Sequence, residues 1–440
     1  MIGMMPAYLI MPLGVLLLAG MSLLNIMPNF LEKKRSGALV TGLDLLAIIS
    51  FAALGWEGLL PPHGNGNVYA MFAGQLLNGT FRENSCFFSV RLAQIAPVAA
   101  FEYLAGLAIG GNLWSLVSYI GLILVCFQLG KLLVDDRAGA ISALLISIFP
   151  NIDIAAHSFL DVRLTVSFFI ALGALLLLLG ERRKRNVYFL ASGIALSMAP
   201  LADPVGAVGI VALFAYLAFC LWNRTLQRGH LYVLLGMLLV FVFLLPLNYA
   251  LSGDPLITFK LTSGYFNFGG GVSQYSTVPN ECGGEIIGMN NTIPAAVYNT
   301  SLTYYPQLLF PAFSSLVAVV FNGTSTGIFY YAFLACLVYL LALRRKSGYP
   351  LLIWFAAMLL YLQFGAMHMG IAPFSYQLLP RLPGFLEMVS PFVAVTIGIA
   401  LSQILKGKER GRAKYIVLIL VFLLIISSVY PNYLIPELPG

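Results

Sequence analysis

Pro61-Pro62-His63-Gly64-Asn65-Gly66-Asn67-Val68-Tyr69 is a polar island that follows the apolar run Ala38 to Leu60. Its glycines interleave with asparagines, a composition that lets a backbone turn back sharply and expose its amides. A second island, His157-Ser158-Phe159-Leu160-Asp161-Val162-Arg163, interrupts another long apolar segment. The surroundings decide how both are read. Of the 440 residues 60% are hydrophobic and 9% are charged, with a mean hydropathy of +0.90. A soluble domain averages about a quarter charged residues, so this chain cannot cover its own surface in water. Apolar runs of about 18 residues or more recur, as in spanning helices. The expected fold class is all-α, a multi-pass membrane protein with residues 1–440 forming a single integral membrane domain. The islands then lie at helix ends, facing the aqueous side.

The net charge of +7 could suggest an acidic partner such as nucleic acid. Its placement argues against one. Most of the Lys and Arg residues stand in short clusters between apolar runs: Lys33 to Arg35, Lys131 with Arg137, Arg182 to Arg185, Arg224 with Arg228, Arg344 to Lys346, and Lys406 to Lys414. Short cytoplasmic loops accumulate such residues, so the clusters fix orientation. The expected partners are membrane lipids, and the expected location is a cell membrane.

With those clusters inside, the runs alternate regularly. Pro6 to Met27 enters, Ala38 to Leu60 returns outward, and Leu113 to Leu133 comes in. Leu92 to Ile109 contains Glu102, Pro97 and several small residues, and is assigned to an outer-face helix lying on the membrane. Further crossings are Ala138 to Asn151, Val162 to Gly180, Val187 to Leu201, Val205 to Trp222 and Leu231 to Leu251. Ile328 to Leu343, Leu351 to Gly365, Phe385 to Leu405 and Tyr415 to Tyr430 complete about twelve, with both termini outside. Two long outer loops result, 61–112 and 252–323, each carrying an interfacial helix.

Acidic side chains gather at the outer ends: Glu57, Glu102, Asp153, Asp161, Asp203 and Glu387. His63, His157 and His368 fall on the same side. A His–carboxylate cluster can bind a divalent cation, but no metal-ligand spacing is present, and neither metal nor cofactor is assigned. Five basic residues run against the positive-inside trend: Arg82, Arg91, Arg163, Lys260 and Arg381. Two readings stand for these. They grip an anion, phosphate being the natural candidate for a guanidinium, or they pair with the outer acids, Arg163 with Asp161 or Asp153 for instance. Cys86 and Cys282 are the cysteines placed in outer loops, where a disulfide would join the two loops and two free thiols are the alternative.

The order of these features resembles the GT-C superfamily of membrane glycosyltransferases, which includes protein O-mannosyltransferases and aminoarabinose transferases. The resemblance runs over about residues 38 to 405. It rests on Asn65 to Tyr69 followed by Ala70, Ala73, Leu76, Leu77 and Gly79, then the Pro-containing stretch Arg91 to Gly110. Lys131, the Ala-rich Ala138 to Ala143, Pro150 and Asp161 follow in the family's order. Gly193 to Pro204, Asn248-Tyr249 with Gly253 to Leu256, and Arg381 come after them. What the resemblance implies is transfer of a sugar from a polyprenyl-phosphate donor to a glycan, lipid or protein acceptor on the outer face. The alternative is a non-catalytic carrier-binding protein or a transporter of lipid or polysaccharide.

One departure matters. The family's first-loop acid would fall at Asn65, and Asn takes no proton at neutral pH. The implied base passes to Asp161 or His63, Asn65 keeping a hydrogen-bonding role. Asn67, Tyr69, Arg91, His157, Arg163, Lys260 and Arg381 are the expected substrate-binding residues.

Overall fold

The computed structural model describes residues 65–81, 87–156, 158, 160–259, 328–343, 349–364, 366–371, 374–378, 383–406, 419–420 and 423–424. The expected helices 6–27 and 38–60 lie outside them, as do most of the loop 252–323, Cys86, Cys282, His63, His157, Lys260 and Arg381. Within them the chain is helical: α1 Asn65–Leu77, α2 Leu92–Ala105, α3 Leu107–Leu133, α4 Asp136–Ser147, α5 Pro150–Ala156 and α6 Val162–Arg183. There follow α7 Asn186–Ala202, α8 Ala207–Trp222, α9 His230–Ser252, α10 Phe329–Ala342, α11 Tyr349–Phe364 and α12 Ser390–Lys406. Short 3-10 turns at Phe87–Val90, Pro204–Gly206 and Pro383–Met388 link some of them. One antiparallel hairpin interrupts the helices, β1 Ala366–Ile371 with β2 Phe374–Leu378.

Among the described residues four helices are long and apolar enough to cross a membrane: Ile109–Leu133, Val162–Arg183, Pro204–Trp222 and His230–Ser252. The middle of the structure is α6. It is buried almost throughout its length, against α3 and α7. An apolar helix buried all round is a core helix, and its Leu-rich sequence gives it that role. Asp161 caps its N-terminus, accepting from the Arg163 backbone N–H at 2.9 Å. Arg182 and Arg183 in its last turn favour the negative end of its dipole.

Around it the packing is close. A Cβ at Gly193 of α7 would stand 2.0 Å from the Val233 carbonyl oxygen, and one at Gly236 of α9 would stand 2.2 Å from that of Leu190. The α7 and α9 backbones therefore touch, the small-residue contact by which helices associate in lipid. On α9 the buried residues Val233, Gly236, Val240 and Leu244 recur every three or four positions toward α7. The other face exposes Leu231, Leu234, Leu235, Leu238, Phe241, Val242 and Phe243. So large an apolar stripe is unsuited to water and suits lipid. Late in the chain, α12 packs on α4, where a Cβ at Gly398 would come within 2.3 Å of Ser142 Oγ.

The helix ends sort into two faces. At the basic one, Lys406 Nζ lies 2.6 Å from Asp135, the N-cap of α4, and Lys131 lies 2.8 Å from Asp136. Arg182 there donates to the Leu132 carbonyl at 2.8 Å. Arg91, Asp161, Asp203 and Glu387 meet at the opposite face.

Several helix boundaries differ from the sequence reading: the run read as Ala138 to Asn151 ends at Ser147, and the one read from Phe385 starts at Ser390 after a 3-10 turn. The outer-face run stops at Ala105 because Gly106 takes φ 89°, a left-handed turn open to glycine. The next helix consequently starts at Leu107 rather than near Leu113. This turn folds α3 back on α2, so that a Cβ at Gly110 would meet the Glu102 backbone nitrogen at 2.3 Å.

Glu102 is buried there, and among the described residues neither carboxyl oxygen has a hydrogen-bond partner. Burial pushes its carboxyl up to about 8. The folded chain keeps this proton while the unfolded chain releases it near pH 4.5. Its contribution is therefore favourable below about pH 4.5 and is lost as pH rises through about 8. Stability should fall by on the order of 3 kcal/mol across that window. Glu102→Gln should flatten this component in thermal unfolding of the detergent-solubilised chain, and an unchanged pH profile would remove Glu102 as its source.

Candidate functional site

The site is built from helix ends. Tyr69 on α1 is fully buried, and its hydroxyl accepts a short hydrogen bond from the Arg91 guanidinium. Arg91 is the N-cap residue of α2. It stacks over the Phe88 ring, with 4.8 Å between its Cζ and the ring centre, and pairs with Asp203 at 3.0 Å. Both partners are nearly buried. Asp203 ends α7 and caps the next turn, accepting from the Val205 N–H at 2.9 Å. Burial pushes the Tyr69 hydroxyl upward, Arg91 opposing, so it keeps its proton and remains a donor.

Beside this pair lies a second one. Arg163 Nε donates to Asp161 Oδ1 at 2.9 Å while Nη2 reaches Oδ2, a two-pronged bridge. The same Nε is 3.6 Å from Glu387 Oε1, in the 3-10 turn before α12. Glu387 is buried, and its Oε2 has no hydrogen-bond partner among the described residues. Burial pushes its carboxyl well above the usual range; Arg163 pulls it back and Asp161 adds to the push. Burial thus disfavours the charged form of Glu387, while each arginine has an aspartate beside it. The side chain of Arg163 is 35% exposed, against 4–11% for Asp161, Glu387, Arg91 and Asp203. Arg163 is the opening of an otherwise buried cluster.

Local backbone aims this pair. Leu160, buried and bulky, takes φ 53° immediately before the Asp161 cap. A large side chain in the left-handed region is a strained exception of the kind that gathers at functional sites. Gln94 of α2 holds the turn, its amide reaching the Leu160 carbonyl at 3.5 Å, while Trp114 donates to Gln94 at 3.2 Å and to Thr165 at 3.1 Å.

Of the residues expected from sequence, Tyr69, Arg91, Asp161 and Arg163 converge. Asn65 opens α1, and Asn67 on the same helix is exposed. Of the two readings of the outer basic residues, pairing with acids is the one seen here for Arg91 and Arg163. Asp203 and Glu387 stood among the outer acids, but neither was expected as a partner of these arginines. Leu160 and Gln94 were missed, because φ and a buried amide leave no mark in a single sequence.

No family model matches the sequence, and no curated protein does. Solved structures do. An Archaeoglobus fulgidus oligosaccharyltransferase in its apo form superposes with a TM-score of 0.58 at 16% identity, over 91% of this chain and 55% of that one. The archaeal oligosaccharyltransferase AglB of the same organism, in complex with an inhibitory peptide and a dolichol-phosphate, gives 0.54 at 16% identity over 88% and 55%. ArnT from Cupriavidus metallidurans in the apo state gives 0.51 at 17% identity over 87% and 62%. The chain thus spans about half the length of the oligosaccharyltransferases it resembles. By these superpositions this chain has the fold of the GT-C membrane glycosyltransferases, the fold that the order of its features led one to expect.

Proposed function

We propose that the protein transfers a sugar from a polyprenyl-phosphate donor to an acceptor on the outer face of a cell membrane. The fold supports this reading, and one neighbour carries a dolichol-phosphate. The observation that carries it is the exposure of Arg163 at the opening of a buried cluster of paired charges. In this reading the chain is a single membrane domain of about twelve crossings, with the loops 61–112 and 252–323 on its outer side.

The donor phosphate takes the Arg163 guanidinium, in competition with Asp161. That exchange frees a carboxylate oxygen of Asp161 to receive the acceptor's proton as the acceptor oxygen attacks the sugar's anomeric carbon. The bond from that carbon to the phosphate oxygen breaks, and its electron pair leaves on a phosphate that Arg163 holds. The products are a glycosylated acceptor and the polyprenyl phosphate, with inversion at the anomeric carbon. Arg91 positions Tyr69 and Asp203, and His157, Lys260 and Arg381 complete the substrate contacts together with Asn67.

Asn65 in the place of the family's acid, and an Asp161 already bridged by Arg163, favour a second reading in which the carrier is bound and not turned over. Membranes containing the protein, given polyprenyl phosphate bearing a labelled sugar and an extract of lipid and glycan acceptors, separate the two. Labelled product supports transfer. Retention of the labelled carrier without product supports the second reading, and neither product nor retention overturns both.

A further inference from the structure

The basic face holds a cluster that the proposed transfer does not use. Glu181 in the last turn of α6, Cys220 in the last turn of α8 and His230 at the start of α9 bring one ligand atom each within 4.8 Å of one another. Cys220 and His230 are buried, and Glu181 is partly so. These three residues are scattered in sequence, and no ligand spacing marks them; the fold alone assembles them.

Their chemistry is that of a metal site. Thiolate, imidazole and carboxylate together suit a zinc-class ion and not magnesium or calcium, which take oxygen ligands. Tetrahedral bonds of the usual lengths place such atoms about 3.4–3.6 Å apart, so the trio is within about 1 Å of closure. The surrounding contacts are those of a supported site. Tyr216, one turn before Cys220, donates to Glu181 at 2.8 and 3.0 Å and fixes its carboxylate. His230 Nε2 faces Glu181 Oε1 at 2.9 Å. Its Nδ1 lies 3.0 Å from the Gln227 carbonyl, and a proton placed there leaves Nε2 free as a ligand. That is the partner a metal-bound imidazole ordinarily has. The Gln227 N–H at 2.9 Å from Nδ1 selects the other tautomer, in which Nε2–H donates to Glu181.

We infer that Glu181, Cys220 and His230 bind a zinc-class divalent cation that joins the ends of α6, α8 and α9 at the basic face. Binding releases the Cys220 thiol proton to solvent. With one thiolate and one carboxylate the site is electroneutral around a divalent ion, so metal adds little repulsion beside Arg182, Arg183, Arg224 and Arg228. Three protein ligands leave a fourth position for water.

Cobalt(II) reports the site without reference to transfer activity. The full chain in detergent, stripped with a chelator and titrated with cobalt(II), should bind about one ion, with a near-ultraviolet thiolate-to-cobalt band that zinc abolishes. Cys220→Ser should lose that band, and His230→Gln should weaken binding about tenfold or more. A chain in which Cys86, Cys126, Cys282 and Cys336 are all replaced by Ala should keep it. Wild type without the band overturns the inference whether or not any variant folds, as does a band that survives Cys220→Ser.

Discussion

Asp161→Asn should reduce measured sugar transfer by about a hundredfold or more, the scale of a lost general base, while the chain folds normally. The separation of these two effects comes from the cap. Asp161 holds the first turn of α6 through one oxygen, which accepts from the Arg163 N–H at 2.9 Å, and Asn caps a helix about as well as Asp. What Asn cannot do is take the acceptor's proton or neutralise Arg163. His63→Gln, in the same assay, should hardly change the rate. Equal transfer by Asp161→Asn and wild type would remove Asp161 from the chemistry. Loss of folded protein in this variant would show that its bridge to Arg163 is chiefly structural.

The second large effect concerns the buried pair behind it. Arg91→Met leaves Asp203 charged, buried and without its cation, and breaking a buried pair from one side costs about 3–5 kcal/mol. Asp203→Asn added to it should return most of that loss, because Asn can still accept from the Val205 N–H that Asp203 holds at 2.9 Å. Unfolding of the purified chain in mixed micelles measures both. A double variant no more stable than Arg91→Met would mean that Arg91 acts through Tyr69 and Phe88 rather than through the charge of Asp203.

Much of this arrangement is legible in the sequence, and the limits have physical causes. Composition and the spacing of basic clusters identify the membrane helices and the face on which acids gather, because lipid imposes long apolar runs. They name Arg91 and Arg163 as cations out of place. They do not say that Asp203 answers the first and Glu387 the second, since those contacts depend on how α2, α7 and the turn before α12 meet. The hairpin at Ala366–Ile371 and Phe374–Leu378 escaped because its strands of six and five residues lie beside strong helical runs. Gly106 escaped for another reason: a single glycine among small residues does not reveal a positive φ. Cys220 falls inside the apolar run Val205 to Trp222 and His230 just before the run Leu231 to Leu251, and their meeting with Glu181 is a property of three helix ends.

The packing of α12 on α4 also bears on how the protein is made. Synthesis and insertion run from the N-terminus, so α4 enters the bilayer long before its partner exists. Until Ser390–Lys406 emerges, the face of α4 at Ser142 lacks Gly398, which later packs on it, and Asp135 waits for both Lys406 and Ser402, which later lie 2.6 and 2.9 Å away. The first half of the chain is therefore a provisional assembly that its last described long helix locks. A ribosome that stops before Ser390 leaves a product with an open seam along α4, in which Asp135 still caps its helix but has neither Lys406 nor Ser402.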